Sequence, residues 1–442
     1  MTLVLRRSLA ISLSALLLAA VGCVQVTSAT PRDACPGEQV VISGSGFGTT
    51  QGASSVTFGT VAASSIASWS DTSIQVAVPS GVAGLVNLVV HAPSGASTPL
   101  SFRAIECPAA GAVGDPRLAL GPSGEPHVVV SQSGSLVYLT KTAGAWTAPE
   151  TVDVLGQDYD LAVTPDGRPN VVYSEGPSNA SNQPGVHRWR DASGWSSAIP
   201  ACNDDANFPL FGECVGIHLV SPGDGSLVVF SRSGDRYGST WVVMRRFDGT
   251  SWGGAATVDY GSVGSAYIQD DRAAAGFGTW HVTVHRNEFV FPSTTNYRIT
   301  KVDPDGTDTL ALSANSDPYS TPSLAASFGR LHFVWREGGN LVHRWRDMSS
   351  GTYSAPLTIA AVSGSPAPVV AADPAGNDGA FAAWIENGQL EGSVFDASTS
   401  TWSAKAVVAS NAASGLVAEA LSGVTHLAWK GSAGDLRYTT LP

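Results

Sequence analysis

The chain is poor in charge. Of its 442 residues only 14% are Asp, Glu, Lys or Arg, and the 24 Lys and Arg are outnumbered by 36 Asp and Glu. It has no basic patch to follow a phosphate backbone, so nucleic acid is not an expected partner. Beyond its first residues it has no long segment of helical period. Cysteine is scarce, at five: Cys23, Cys35, Cys107, Cys202 and Cys214. What abounds is Gly (48) and Pro (26), set between Val- and Ala-rich apolar runs of three to five residues. Short apolar runs punctuated by turn formers predict strands and tight turns, hence an all-β chain. The length allows two or three domains.

Arg6 and Arg7 precede an apolar core, Ser8 to Val21, too short for a spanning helix. The run ends in Ala20-Val21-Gly22-Cys23, which resembles the cleavage box of bacterial lipoproteins, with Ala20 where Leu is more usual. The resemblance implies a signal peptide over 1–22 and lipidation of Cys23. The protein would then be exported and held on a membrane rather than in it, at the outer membrane or cell surface. The alternative is an ordinary cleaved leader with a coincidental Cys. Losing the two arginines moves the formal charge from −12 to −14. Setting Cys23 aside leaves an even number of cysteines, expected to pair in an exported chain.

Over 23–106 the residues Pro36-Gly37, Val40-Val41-Ile42, Gly44-Ser-Gly-Phe47-Gly48, Val56-Thr-Phe58-Gly59, Trp69-Ser70, Ile74-Gln-Val76-Ala-Val78-Pro79 and Val86-Asn-Leu88-Val-Val90 resemble an IPT/TIG domain. That resemblance implies an immunoglobulin-like sandwich serving as spacer or interaction module. The alternation of Ile74, Val76 and Val78 fits a half-buried strand, stopped by Pro79. Gly44, Gly46 and Gly48 open no helix and read as a turn rather than a phosphate loop. Cys35 and Cys107 follow the first and last strands, whose ends share one pole of such a sandwich. A bond between them is sensible and contributes about 4 kcal/mol in the chain-entropy account.

From 107 to 442 one strand recurs: His127-Val-Val-Val130, Asn170-Val-Val-Tyr173, Leu227-Val-Val-Phe230, His281-Val-Thr-Val284, His332-Phe-Val-Trp335, Phe381-Ala-Ala-Trp384 and His426-Leu-Ala-Trp429. The spacing of 43 to 57 residues is that of a four-stranded propeller blade. Seven blades are expected, or six if the fourth repeat, which lacks the hairpin Trp, is not one. An Asp followed by an aromatic marks the hairpin into the fourth strand: Asp191…Trp195, Asp248…Trp252, Asp347…Tyr353 and Asp396…Trp402. This resembles a degraded Asp box of sialidase-like propellers, with the Asp accepting turn N–H groups and the aromatic packing between blades. The last repeat stops after its third strand. A segment around 103–112 is expected to supply the missing fourth and close the ring.

In such a ring the strand 2–3 loops and the blade-to-blade connections share one face. The long ones fall in blades 2 to 4, where ligand-binding candidates are Phe208, Arg232, Asp235, Arg236, Tyr237, Arg286, Glu288, Phe289 and Phe291. Cys202 and Cys214 bracket one of these loops, and pairing them would stiffen it by about 3 kcal/mol. Packing of the loops on each other is the plainer alternative. Acids begin several first strands, which line the channel: Asp115, Asp158, Asp160, Asp270 and Asp271. Asp115, Asp158 and Asp270 are weak candidates for a cation such as calcium; capping of local turns is the commoner role of such residues. Asp303-Pro-Asp305-Gly306-Thr-Asp308 looks like a calcium loop but sits where a hairpin turn is due, with Ala314 at its twelfth position.

Enzyme motifs fail. Gly249-Thr-Ser251-Trp-Gly253 lies in a hairpin, not in a strand-to-helix turn. His281 and His285 would stand about 13 Å apart on a strand. The Phe-Arg-Ile-Pro string of sialidases is absent. The expected function is therefore a non-catalytic, monomeric, surface-anchored lipoprotein without a cofactor, whose propeller binds a glycan or protein. The alternatives are a carbohydrate-active hydrolase or lyase with an acidic site at the channel, and a structural envelope component.

Overall fold

A computed structural model describes residues 23–154, 156–175, 185–202, 214–234, 240–261, 266–276, 278–290, 294–303, 306–311, 323–374 and 376–442. The chain divides into two compact units, Met1–Phe102 and Arg103–Pro442.

The first unit is a β-sandwich. One sheet holds Gln25–Thr30, Gln39–Ser45, Ser73–Ala77 and Ile66–Trp69; the other is built around Gly84–Ala92, flanked by Ser55–Phe58 and Leu100–Ala104. Period-2 alternation sends Val40, Ile42, Ile74 and Val76 inward from one sheet, and Val56, Phe58, Leu88, Val90 and Phe102 from the other; all are essentially buried. Phe58 and Phe102 meet edge to face at 5.0 Å. Burial of each such side chain contributes about 1.5–3 kcal/mol.

The second unit is seven sheets of four or five strands in a ring. The innermost strands, in blade order 1 to 7, are Arg117–Leu120, Gly156–Val163, Val215–Val220, Ala266–Gly276, Ser323–Ala326, Val369–Ala371 and Ala412–Leu421. Each touches the next, and the seventh touches the first. All seven copies of the recurring motif lie on second strands, between a first and a third. Glu106–Ala109 pairs antiparallel with Leu436–Leu441, so the ring closes on a strand from the beginning of the unit. Glu106 fastens this closure from the side: its carboxylate accepts hydrogen bonds from Lys141 Nζ and Trp146 Nε1 of blade 1, both at 2.8 Å.

The hairpin signature does two jobs. Asp191, Asp248, Asp347 and Asp396 accept N–H groups within their own turns. The Ser251 N–H holds Asp248, and the Ser349 hydroxyl holds Asp347, down at about 2. The aromatics fill seams between blades: Trp195 against Tyr138 at 5.4 Å, Trp252 against His187 at 5.4 Å, Trp402 against His343 at 5.0 Å. Tyr353 packs on Phe333 of its own blade, against a cluster that Ala274 of blade 4 also joins.

Four ligand candidates need correcting. The second strands of blades 3 and 4 run on through Leu227–Gly234 and Thr279–Val290. Arg232, Arg286, Glu288 and Phe289, expected in loops, are therefore strand residues, paired with Val242, Arg298, Asn296 and Thr295. Their polar and aromatic alternation lengthens a hairpin rather than opening a loop. Phe208, Asp235, Arg236, Tyr237 and Phe291 lie outside the described residues.

Candidate functional site

The innermost strands are where the ring stops being regular. Asp158 is inserted between the Gln157–Ser174 and Tyr159–Tyr173 pairs of blade 2. Equivalent insertions fall before His218 in blade 3, before Asp270 in blade 4, between Ser414 and Val417 in blade 7, and between Val113 and Arg117 in blade 1. The innermost strands of blades 5 and 6 pair without a shift. A β-bulge leaves one residue unpaired and re-aims its side chain. Here five consecutive blades carry one, each in the half of the strand farther from the strand 1–2 turn.

The bulges interlock. Asp158 holds a left-handed φ of 34°, uncommon outside Gly, and its carboxylate accepts the Gly216 N–H of blade 3. Gly216 has φ of 61°, and a Cβ there would stand 2.5 Å from Arg232 Nε, so only Gly lets that guanidinium lie across the bulge. Asp160 accepts the Leu219 N–H at 2.8 Å, with Arg117 Nε and His218 Nδ1 each 3.9 Å away. The Tyr159 hydroxyl donates to the Asp115 carbonyl at 2.7 Å and accepts the Ser131 N–H at 3.0 Å, under the Arg117 guanidinium. Asp115 in turn accepts from the Ser414 hydroxyl at 2.9 Å. Blades 7, 1, 2 and 3 are thereby joined by one polar network along a single arc of the channel.

The register sets these groups in tiers. Asp115 and Asp158 stand nearest one mouth. Arg117 and Asp160 come next, each opposite the third residue of its blade's motif. Two residues deeper, a step of about 7 Å, Glu419 lies opposite His426 in blade 7. The Glu419 side chain is solvent-exposed, with protein crowding its carboxyl. Burial, reinforced by the Asp160 charge, pushes its carboxyl up to about 8. Burial likewise pushes Asp158 up, against the pull of the Gly216 N–H, Arg117 and Arg232. The wall thus offers the carboxyls of Asp115, Asp158 and Asp160, two guanidiniums and, deeper, Glu419.

Asp115 and Asp158 are drawn to different blades, and neither belongs to a metal-binding group among the described residues. Asp270 pairs with His285 in blade 4, and its side chain is outside the description. Asp303 pairs with Gly306 across a hairpin. Arg232, Asp115, Asp158 and Asp160 come together. Glu419 escapes a reading that looks for acids at strand starts. Its signal was a break in the repeat, since five other blades carry Ala at its position: Ala119, Ala162, Ala274, Ala325 and Ala371. A crevice between the turns of blades 2 and 3 offers less, because Asp166 is bound by Thr164, and Asp224 by Ser226 and Arg246.

Cys202 and Cys214 are joined in a disulfide, Cys35 and Cys107 are disulfide-bonded, and Cys23 is free. Disulfides mark an extracellular or periplasmic chain. Among the described residues no helix is long and apolar enough to cross a membrane.

No curated protein matches the chain in sequence. Similar solved structures include the Hadza microbial sialidase Hz136, at 10% identity and TM-score 0.48, covering 84% of this chain and 76% of that one. An α-L-arabinanase of Penicillium chrysogenum, solved with arabinobiose, matches at 12% identity and TM-score 0.47, over 65% of this chain and 94% of its own. The SapL1 lectin, solved with α-methyl fucoside, matches at 14% identity and TM-score 0.40, over 68% and 97%. Among families the match is to the IPT/TIG domain over residues 25–104, and that segment is an IPT/TIG domain.

Proposed function

We propose that the protein is an exported, lipid-anchored propeller that binds a carbohydrate in its central channel without turning it over. One observation carries this reading: the bulged strands of blades 7, 1, 2 and 3 hold Asp115, Asp158, Asp160 and Arg117 in a network of hydrogen bonds and one ion pair on the channel wall. Fixed carboxylates and guanidiniums are charged partners for sugar hydroxyls, and groups held in place beforehand lose little order on binding. The free, exposed Cys23 supports the lipid anchor. A glycan array probed with the mature protein tests the binding. Saturable capture of a saccharide, lost in Asp160→Asn at unchanged fold, is the expected result. Metabolic labelling with a fatty acid, absent in Cys23→Ser, tests the anchor.

A hydrolase is the second reading, favoured by two carboxyls on one channel wall, Asp160 and a Glu419 whose carboxyl is pushed up, as in the acid of a glycoside-cleaving pair. Release of reducing sugar from a bound oligosaccharide, abolished by Glu419→Gln, would select it.

A further inference from the structure

At the strand 1–2 turn end of blade 5 an apolar tip stands beside arginines held on aromatic rings. Phe328 lies in the turn between Ser323–Ala326 and Arg330–Glu337 and is 70% exposed. Among the described residues it is the most exposed large apolar side chain, and the one aromatic of that kind. The turn beneath it is tied from two sides. The Gly329 N–H donates to Asp378 of blade 6 at 2.6 Å, and the Gly329 carbonyl accepts the Met348 N–H of the strand 3–4 hairpin at 2.9 Å. A side chain on a turn already in place loses little order on binding.

Three guanidiniums are held toward the same end. Arg330 lies over the Trp345 ring at 4.8 Å. Arg344 and Arg346 lie over Tyr353 at 5.6 and 5.9 Å, and their Nε atoms donate to the Ser354 and Gly351 carbonyls at 2.8 and 3.3 Å. These arginines, with Trp345, Met348 and Tyr353, are half-buried, so each keeps part of its surface toward solvent. The acids nearby are engaged. Asp347 accepts from Ser349 and Ser350 of its own turn, and Asp378 accepts from Ser327 and Gly329 with Arg330 Nε 3.7 Å away.

Charge and shape say what would fit here. Blade 5, over 323–361, carries Arg330, Arg336, Arg344 and Arg346 against Glu337 and Asp347, in a chain whose 36 acids outnumber its 24 cations. Its local excess of positive charge suits a partner of the opposite sign. Every one of these cations is Arg and none is Lys. A guanidinium stacked on a ring and held by its Nε presents a planar fork that matches a carboxylate, a geometry that a loose lipid headgroup does not require. Phe, Trp, Tyr, Met and Arg together are the residues enriched where proteins bind proteins.

We propose that this end of blade 5 docks an acidic segment of a partner protein, with Phe328 as the apolar anchor and Arg344 and Arg346 receiving carboxylates. The bulges of the channel wall lie toward the other end of the strands, so this docking is separate from saccharide binding.

The probes are a fluorescein-labelled peptide of Glu and Leu residues, its counterpart of Lys and Leu, and vesicles of anionic phospholipid. Each is titrated with the mature chain carrying Cys23→Ser, so that no lipid anchor intervenes. The Glu peptide should bind and the Lys peptide should not. Phe328→Ser should weaken the Glu peptide about tenfold at an unchanged melting midpoint, because the ring it removes is exposed. Arg344→Lys with Arg346→Lys keeps the charge but not the fork, and should also weaken it about tenfold. Absence of Glu-peptide binding, equal binding of both peptides, or full binding by Phe328→Ser would overturn the proposal. Binding of the vesicles alone, lost in Phe328→Ser, would overturn it as well and assign the surface to a membrane.

Discussion

His332 Nδ1 and His343 Nε2 lie 3.0 Å apart in stacked rings, and one proton serves them both. The Trp402 indole N–H donates to His343 Nδ1 at 3.2 Å, which leaves the His343 proton on Nε2, pointing at His332. His332 must then carry its own proton on Nε2, toward the Ser327 hydroxyl at 3.0 Å, and Ser327 passes its proton on to Asp378 at 3.1 Å. Every ring nitrogen is satisfied only while both imidazoles are neutral. The line of bonds ties blade 5 to blade 6.

This arrangement predicts acid sensitivity. Burial, with the Arg330 charge, pushes His332 down to about 3; burial, with His332 and Arg330, pushes His343 down to about 2. Both lie below the unfolded value, so between pH 6.5 and about 3 the unfolded chain binds more protons. Their stabilisation is complete above pH 6.5 and is lost as pH falls. Burial holds His187 at about 3, adding to the slope. Thermal melts should show a lower midpoint at pH 4.5 than at pH 7.5. Equal midpoints would mean the histidines are not held neutral.

Ring closure should depend on Glu106. Its side chain is 16% exposed and faces Lys141 at 21%, so the pair is largely shielded from solvent. Glu106→Ala strands the Lys141 ammonium and the Trp146 N–H and is expected to cost about 2–4 kcal/mol. Urea denaturation measures it; a loss under about 0.5 kcal/mol would place closure in the strand pairing alone.

The Cys202–Cys214 bond packs on Gly185, where a Cβ would stand 2.0 Å from the Cys202 sulfur. Gly185→Ala should therefore destabilise by about 2 kcal/mol in the oxidised protein and by less after the bond is replaced by a Cys202→Ser/Cys214→Ser pair. Equal costs in both backgrounds would show that the two do not touch.

At the channel, Gly216→Ala should displace Arg232 and strain a left-handed position, costing about 1–2 kcal/mol and weakening saccharide binding. Unchanged binding at wild-type stability would remove Arg232 from the site.

The ring was legible because packing repeats itself. The motif strand packs apolar side chains in blade after blade, so Val128, Val171, Val228 and Val282, all buried, announce the period. The site was legible only in part. Asp115, Asp158 and Asp160 could be read as acids at strand starts, but a bulge adds one residue without changing residue type, so the left-handed turn at Asp158 leaves no mark in the sequence. Strand ends were misjudged where polar residues continue a ladder, as at Arg232 and Glu288. Glu419 could have been found by aligning the repeats, because it replaces an alanine.

The channel claim is tested most directly by a crystal structure of the mature protein with the tightest-binding oligosaccharide from the glycan array. The account predicts a sugar inside the ring on the arc of blades 7, 1, 2 and 3, with hydroxyls about 3 Å from Asp160. A saccharide seated on the outer blades, or an empty channel at saturating sugar, would contradict it.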